Sequence, residues 1–239
     1  MQKILSALRK ACEEYNLIED GDKIAVGLSG GKDSLTLLYA LSLYQKYFNK
    51  KFSLEAVAVD LSGGKNDYSQ IKNFCKQLNI NLTIVPSNIF EVVFDIRKEK
   101  NPCSLCANMR RGALNSTAKS LGCNKVALGH HKDDMIETFL ISLFFEGRLS
   151  TFKPISYLTN TNLYVIRPLI YCDEKEIQRV SKDFPVLFNI CPADKHTERE
   201  NAKDILKKLN KLYPDCKDKI FNAIIHKERY NLYDKIINK

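Results

Sequence analysis

The sequence lacks any long hydrophobic run, since none reaches the ~18 apolar residues that a membrane-spanning helix requires. The N-terminal stretch MQKILSALRKACEEYNLI alternates apolar and charged side chains with a helical period, which is unlike a signal peptide. These absences predict a cytoplasmic protein without a membrane partner. The hydrophobic fraction of 44% nevertheless allows a sizeable core within 239 residues.

Acidic residues are in the minority, with 28 Asp and Glu against 37 Lys and Arg, for a formal net charge of +9. A positive balance of this size attracts polyanions over long range, nucleic acid above all. A genome that overuses lysine explains the same excess, and the many Lys, Asn and Ile residues agree with that explanation. The charge alone therefore leaves nucleic-acid binding open.

The eight cysteines do not indicate a disulfide framework, because a chain without an export signal is expected to keep its thiols reduced. Most of them stand singly in apolar or amphipathic stretches, where they act as core residues or surface thiols. Only Cys103 and Cys106 form a close pair, in NPCSLCANMRR.

A single C-x-x-C pair fits several kinds of site. Zinc would need more ligands, and the sequence has no second C-x-x-C and no H-x-x-x-H. A thioredoxin-like role would place the pair directly after a strand on another scaffold. Cys191, in FPVLFNICPAD, is a candidate third ligand for a [4Fe–4S] cluster, and three thiolates would leave one iron open. An incidental pair remains the alternative.

Apolar runs alternate with helical stretches along most of the chain. The runs that we predict as strands are KIAVGL, FSLEAVAVDL, INLTIVPS, NKVALGH and LYVIRPLIYC. Stretches of helical length and spacing separate them, and more predicted helices follow the fifth run. This pattern predicts an α/β fold with a doubly wound, mostly parallel, Rossmann-like sheet and a helical C-terminal extension.

The stretch GLSGGKDSLTLL, residues 27–38, lies between the first predicted strand and the first long helix. Its glycines let the backbone approach an anion, and the helix N-terminus supplies N–H donors and a positive dipole end. Ser29, Ser34 and Lys32 add donors and a cation, while Asp33 suggests a bound Mg²⁺. The glycine spacing matches neither the Walker nor the dinucleotide pattern. A polar turn capped by Asp33 is the alternative.

Two other stretches carry charged candidates for the same site. Arg110 and Arg111 follow the cysteine pair on a predicted helix, where they either contact phosphate of ATP or RNA or form a solvated face. In ALGHHKDDMIETFL, Gly129 permits a close backbone approach, and Asp133 or Asp134 either caps the helix or orients a substrate or metal. We favour function for Asp134.

The stretch SGGKDS resembles the PP-loop of the ATP pyrophosphatases, which cleave ATP between its α and β phosphates. The resemblance implies that residues 30–34 hold pyrophosphate and metal, with Asp33 as the Mg²⁺ ligand, and that backbone near Val59 meets the adenine. It predicts these nucleotide-binding residues: Leu28, Ser29, Gly30, Gly31, Lys32, Asp33, Ser34, Val59, Gly129 and Asp134. The predicted catalytic residues are Asp33, Arg110, Asp134, Cys103 and Cys106.

Five stretches in order, SGGKDS, CSLCANMRRGAL, ALGHHKDDMIET, FFEGRLSTFKP and VIRPLIYCDEKEIQR, are together similar to the tRNA 2-thiocytidine synthetase family. This resemblance implies a fold like that of the adenine nucleotide alpha hydrolases, a cytoplasmic enzyme, ATP, Mg²⁺ and a [4Fe–4S] cluster on Cys103, Cys106 and Cys191. ATP would adenylate the C2 oxygen of a tRNA pyrimidine, cytidine first among the candidates, and sulfur would replace that oxygen. The implied partners are tRNA, a sulfur donor (a cysteine desulfurase or free sulfide) and a second copy of the chain in a homodimer.

The stretch around Cys191 departs from that family, which commonly has a second C-x-x-C there. The position of its first cysteine is occupied by Phe188 or Asn189, depending on the gap. Cys191 therefore either aligns with the non-ligating partner or becomes a ligand after a shift of one residue. Two other functions stay open: a PP-loop ligase that uses a nitrogen nucleophile, and a nucleotide-binding redox sensor that carries a cluster.

The expected organisation follows from these assignments. Residues 1–20 are predicted as an N-terminal helix and residues 21–172 as the PP-loop domain with the cysteine pair. Residues 173–239 are predicted as the helical extension that carries Cys191.

Overall fold

The structure, a computed structural model, describes residues 1–48, 50–98, 102–187 and 198–230. Its strands are β1 Lys23–Leu28, β2 Ser53–Asp60, β3 Asn81–Pro86, β4 Lys125–Ala127, β5 Ile155–Leu158 and β6 Leu163–Ile166. They form one sheet in the order β3-β2-β1-β4-β6-β5. All neighbours pair in parallel except β5 and β6, which are antiparallel. The predicted α/β fold with a mostly parallel sheet is therefore confirmed.

The helices are α1 Gln2–Glu14, α2 Lys32–Tyr47, α3 Ser69–Gln77, α4 Pro102–Ser120, α5 Lys132–Glu146, α6 Glu174–Val180, α7 Glu198–Leu212 and α8 Cys216–Ile225. A π-helical segment, Glu91–Ile96, precedes α4, and a short 3₁₀ turn, Lys227–Arg229, follows α8. No helix of the described ranges is long and apolar enough to cross a membrane.

Two elements were not predicted from the sequence. Strand β5 has four residues, none of them fully buried, so it gives little hydrophobic signal, and pairing with β6 defines it. The π-helical segment buries only Val93 among its described residues, and its apolar residues do not follow a helical stripe. Contacts with neighbouring parts of the chain therefore determine these two elements more than local sequence propensity does.

The described residues divide into two compact units. The larger unit contains the whole sheet with helices α1–α4 and α6, and its core includes the fully buried side chains of Leu8, Ile24, Leu35 and Leu38. The smaller unit contains nearly all of α5 together with α7 and α8. Within it, the buried Glu137 of α5 lies 3.7 Å from cationic nitrogens of Arg199 and Lys203. The domain boundaries given above remain a prediction.

The order of the strands reverses between β1 and β4. From β1 the chain moves to β2 and β3 on one side, and then returns to place β4 on the other side of β1. In open α/β sheets a ligand crevice forms at such a point, beyond the carboxyl ends of the strands. The segments that follow β1 and β4 both lie at this edge, and they contain the phosphate-loop motif and Gly129.

Candidate functional site

The turn of the phosphate loop depends on Gly30. Its φ of +80° is in the left-handed region, which an L side chain rarely adopts. A Cβ atom placed there would also lie 2.9 Å from Cδ1 of Leu187. The Leu187 amide donates to the Gly30 carbonyl oxygen over 2.9 Å, so the segment after α6 packs directly on the loop. Position 30 therefore requires glycine for two independent reasons, the left-handed φ and the close contact that a Cβ atom would make with Leu187.

Two serine hydroxyls hold the loop from inside. Ser34 Oγ donates to the Gly31 carbonyl over 2.9 Å and lies 3.2 Å from both the amide nitrogen and the Oγ of Ser29. The Gly31 amide in turn donates to Ser29 Oγ over 3.3 Å. Helix α2 begins at the next residue, so its N-terminal amides and the two hydroxyls face the same turn. This is the donor set of an anion site.

Asp33 provides the carboxylate of the site. Its Oδ1 atom is buried and accepts no hydrogen bond from the described residues. The atom lies 3.2 Å from Lys32 Nζ and 3.6 Å from Nε2 of the buried His131. A buried carboxylate oxygen without a hydrogen bond, at the first turn of α2 beside the phosphate loop, fits a hard cation such as Mg²⁺.

Gly129 brings the segment after β4 against this loop. A Cβ atom at Gly129 would lie 3.0 Å from the backbone C and O of Asp33 and from the amide nitrogen of Ser34. Because those neighbours are backbone atoms at the start of a helix, they cannot move aside cheaply. The close approach predicted for Gly129 is therefore present, and it sets the position of His131 two residues later.

Lys32 lies between two carboxylates. Its Nζ is 3.2 Å from Asp33 Oδ1 and 3.0 Å from Oε1 of Glu174, the first residue of α6. Burial alone would lower the pKa of Lys32, but the two carboxylates more than offset this, and its pKa is raised above the usual value. Lys32 is therefore a fixed cation beside the phosphate loop.

A cavity of about 360 Å³ opens beside the loop. The following residues line it: Ser29, Gly31, Val59, Leu61, Ser62, Asn66, Tyr68, Phe90, Phe94, Pro102, Cys103, Cys106, Ala107, Arg110 and Leu187. Three groups that the sequence predicts for the site thus meet in one space, namely the phosphate loop, Val59 at the end of β2, and the cysteine pair with Arg110. Of the other predicted residues, Leu28 is buried at the end of β1.

The cysteine pair lies in the first turns of α4. Cys103 is exposed and Cys106 is half-buried, and a separation of three residues places both on one side of the helix. Both thiols line the cavity. No cluster of three or more His, Cys, Asp or Glu side chains suited to a metal occurs in the part of the chain that the structure describes. Cys191, together with Phe188 and Asn189, lies outside the described residues.

Arginines lie midway along α4 and directly after β6. Arg110 is exposed toward the cavity, and Arg111 donates from Nε to the Ala107 carbonyl one turn earlier. Burial, together with the positive charge of Arg111, lowers the pKa of Arg167 to about 10. Arg167 follows β6 and donates to the Lys153 carbonyl over 2.6 Å. Of these three arginines, Arg110 is the one that lines the cavity.

Asp134 lies in the smaller unit, on α5. Its Oδ1 accepts from Arg199 of α7 over 3.2 Å, and the neighbouring Asp133 pairs with Lys217 of α8 over 2.6 Å. Within that unit, then, both carboxylates join α5 to the C-terminal helices. The role of Asp134 toward a substrate stays a prediction.

The buried Asp60, which the sequence did not mark as a site residue, holds the loop whose Ser62 and Asn66 line the cavity. Its carboxylate accepts from the amides of Ser62 and Gly64 and from side chains of the same loop. Burial would raise the pKa of Asp60, but these donors outweigh that effect and hold it below the usual value. An Asp at a strand end followed by Ser-Gly-Gly is a turn signal that could have identified it.

Sequence analysis also passed over His131, Glu174 and Leu187 as site residues. Each acts through a contact with the phosphate loop that is distant along the chain. For these three residues no local pattern gave a signal.

The chain matches a family model described as PP-loop domain over residues 2–194. It is 39% identical to the tRNA-cytidine(32) 2-sulfurtransferase of Cytophaga hutchinsonii, over 98% of this chain and 85% of that protein. It is also 39% identical to the enzyme of the same name from Pseudomonas putida, over 94% of this chain and 84% of the relative.

Solved structures agree with these relatives. The U34-tRNA thiolase NcsA from Methanococcus maripaludis, solved with its [4Fe–4S] cluster, superposes with a TM-score of 0.72 at 25% identity, over 96% of this chain and 80% of NcsA. The NH₃-dependent NAD synthetase from Campylobacter jejuni, at 16% identity and a TM-score of 0.52 over 99% of this chain and 98% of its own, shares the fold. The predicted resemblance is thereby confirmed, and the chain belongs to the PP-loop domain family, among the relatives of the tRNA-cytidine(32) 2-sulfurtransferases.

Proposed function

We propose that this chain is an ATP-dependent and [4Fe–4S]-dependent tRNA sulfurtransferase that replaces the C2 oxygen of a cytidine with sulfur. One observation carries the proposal: the cavity beside the phosphate loop is also lined by Cys103, Cys106 and Arg110. Activation by ATP and delivery of sulfur must take place within reach of one base, and a shared cavity provides that geometry. The relatives at 39% identity carry this activity in their names.

The phosphate loop would bind ATP through its β and γ phosphates. Amides at the start of α2, the hydroxyls of Ser29 and Ser34, and the ammonium of Lys32 are the donors for these oxygens. Asp33 would hold Mg²⁺ against the same phosphates through its buried Oδ1. The C2 oxygen of the base then attacks the α phosphorus, an AMP ester forms, and pyrophosphate leaves from the loop. Val59, at the end of β2, would border the adenine.

Cys103 and Cys106 would supply two of the three thiolate ligands of the cluster, and Cys191 would be the third. Two thiols on one side of a helix, one exposed and one half-buried, fit this role, since both must reach a group that is shared with a substrate. When bound, the cluster would carry the donated sulfide that takes the place of AMP at C2, with AMP as the leaving group. The chain contributes a cavity wall of apolar side chains, Phe90 and Phe94 among them, which limits access of water to the activated base.

The substrate base has to leave its stack to enter this cavity, which suits a nucleotide in a single-stranded tRNA loop. Arg110, exposed at the cavity, would stabilise the negative charge of the AMP ester or of the RNA backbone. Asp134 would orient the substrate from the start of α5. The net charge of +9 adds long-range attraction for the tRNA polyanion.

Four finer points belong to the same proposal. The sulfur comes from a cysteine desulfurase or from free sulfide. The enzyme acts in the cytoplasm, where unfolded or loop regions of tRNA are accessible to it. It works as a homodimer, and its organisation follows the three segments 1–20, 21–172 and 173–239.

The test begins with anaerobic purification and analysis of iron and sulfide. ATP turnover to AMP should require tRNA, and mass spectrometry of the tRNA should detect one oxygen replaced by sulfur. The Cys103→Ala variant should lose the absorbance at about 400 nm that is typical of thiolate-bound clusters. It should also lose the ability to thiolate tRNA. Cys123→Ala, at a buried cysteine apart from the cavity lining, is the matched control and should retain both.

Other outcomes would reject the proposal. AMP formation by iron-free protein with an amine in place of sulfide would identify a nitrogen ligase. A cluster-bearing protein that binds ATP and never forms AMP would identify a redox sensor.

A further inference from the structure

Two adjacent acidic residues at the start of α6, the N-cap Asp173 and the first helical residue Glu174, contact lysines that begin other helices. Asp173 Oδ1 lies 3.3 Å from Lys132 Nζ, and Glu174 Oε1 lies 3.0 Å from Lys32 Nζ. The Lys132 amide also donates to the carbonyl of Cys172 over 3.1 Å. Because Lys32 opens α2 and Lys132 opens α5, these contacts fix the first residues of two helices at the carboxyl edge of the sheet.

Lys32 depends on Glu174 more strongly than its place in the motif suggests. In the structure its ammonium is divided between Asp33 and Glu174. A metal cation bound at Asp33 Oδ1 would compete with the Lys32 ammonium for that oxygen, because the two groups carry like charge and would contact the same atom. Of the two carboxylates that contact Lys32 in the structure, Glu174 would then be the one that still holds its ammonium. An ammonium has three N–H donors, so an anchored Lys32 still has donors for phosphate oxygen.

We infer that Glu174 is a positioning residue for ATP activation: it holds the Lys32 ammonium at the phosphate loop while Asp33 serves the metal. The inference rests on the proposed function only in taking ATP as the ligand of the loop. Glu174 acts through Lys32 and is not itself a contact of the pyrophosphate.

Helix α6 provides a matched control in Glu176. This residue pairs with Lys3 at 3.4 Å and with Arg179 at 2.8 Å, away from the loop. Its side chain is exposed to a similar extent, 24% against 22% for Glu174. A loss that came merely from weakening α6 would appear in Glu176→Gln as well as in Glu174→Gln.

The experiment measures binding of magnesium pyrophosphate by calorimetry to the full chain, with melting temperatures as the check on folding. Glu174→Gln should weaken binding by about tenfold, the change expected when one charge-assisted contact is lost. Glu174→Asp, which keeps the charge but shortens the reach, should give an intermediate loss. Glu176→Gln should stay within about twofold of the unmodified protein.

A double-mutant comparison isolates the route through Lys32. Adding Glu174→Gln to Lys32→Ala should cause no further loss, because the group that Glu174 positions is then gone. Equal losses with and without Lys32, or an unchanged affinity in Glu174→Gln, would overturn the inference. Pyrophosphate binding needs neither tRNA nor cluster. Failure to thiolate tRNA would therefore reject the proposed function and leave this result standing.

Discussion

Two loops of this protein share the same five-residue sequence but differ in conformation and in their hydrogen-bond partners. Residues 28–32 and residues 61–65 both spell Leu-Ser-Gly-Gly-Lys, the first after β1 and the second after β2. In the first loop only Gly30 has a positive φ, and α2 begins at Lys32. In the second, Gly63 and Gly64 both have positive φ, and a helix begins only at Ser69.

The difference comes from the residue before the shared letters. Asp60 precedes the second loop, and its carboxylate accepts from the amides of Ser62 and Gly64, so it occupies the place that an external anion would take. Gly27 precedes the first loop, where a Cβ atom would lie 2.8 Å from Cδ2 of Leu114. Because the first loop has no carboxylate at that position, its amides of Ser29 and Gly31 donate to serine hydroxyls instead. A phosphate oxygen can replace a hydroxyl as the acceptor. We therefore expect the first loop, and not the second, to bind an outside anion.

The most direct test of the difference between the two loops is to replace corresponding glycines, Gly30 and Gly63, with alanine. Gly30→Ala combines a left-handed φ with a Cβ atom 2.9 Å from Leu187, so ATP-dependent AMP formation should fall by at least about 100-fold. Gly63→Ala has the same kind of φ and nothing within 4 Å, so it should cost about 1 kcal/mol of stability and leave turnover nearly intact. AMP release and thermal melts measure the two effects. Equal loss of turnover in both variants would contradict the distinction.

Much of this architecture could be predicted from the sequence. The parallel strands, the phosphate loop and the helix with the cysteine pair have local signals, namely apolar runs, adjacent glycines and helical spacing. The close approach of Gly129 was also predicted and is present.

The rest depends on contacts that no local pattern encodes. His131 reaches Asp33, and Glu174 reaches Lys32, only because β4 lies beside β1 in the sheet and β6 lies beside β4. The short strand β5 is defined by its partner β6 more than by its own four half-exposed residues. The two Leu-Ser-Gly-Gly-Lys loops add to this, since the contacts that Asp60 makes with the second loop are visible only in the structure.

A second test makes the first loop more like the second. Asp33→Asn places an amide where the second loop has Asn66, and it removes the buried carboxylate oxygen that we assign to Mg²⁺. AMP formation should fall by about 100-fold at saturating ATP, and added Mg²⁺ should not restore it. Asp67→Asn makes the same chemical change on an exposed side chain that contacts Ser69, and it should leave turnover within about twofold. Turnover of Asp33→Asn equal to that of the unmodified protein at every Mg²⁺ concentration would remove Asp33 from the metal site.

The third and smallest effect on turnover is expected at Asp60, where the second loop supplies its own anion. Asp60→Asn should lower the free energy of unfolding by about 1–3 kcal/mol at pH 7, because a charged acceptor of several hydrogen bonds becomes neutral. The pKa of Asp60 is lowered in the folded state, so its contribution is complete above the unfolded pKa of about 4 and is lost as the pH falls through the lower folded pKa. The gap between the unmodified protein and Asp60→Asn in urea melts should therefore close on acidification below pH 4. A gap that stays constant down to pH 2.5, about 1.5 units lower, would show that shape rather than charge holds the loop.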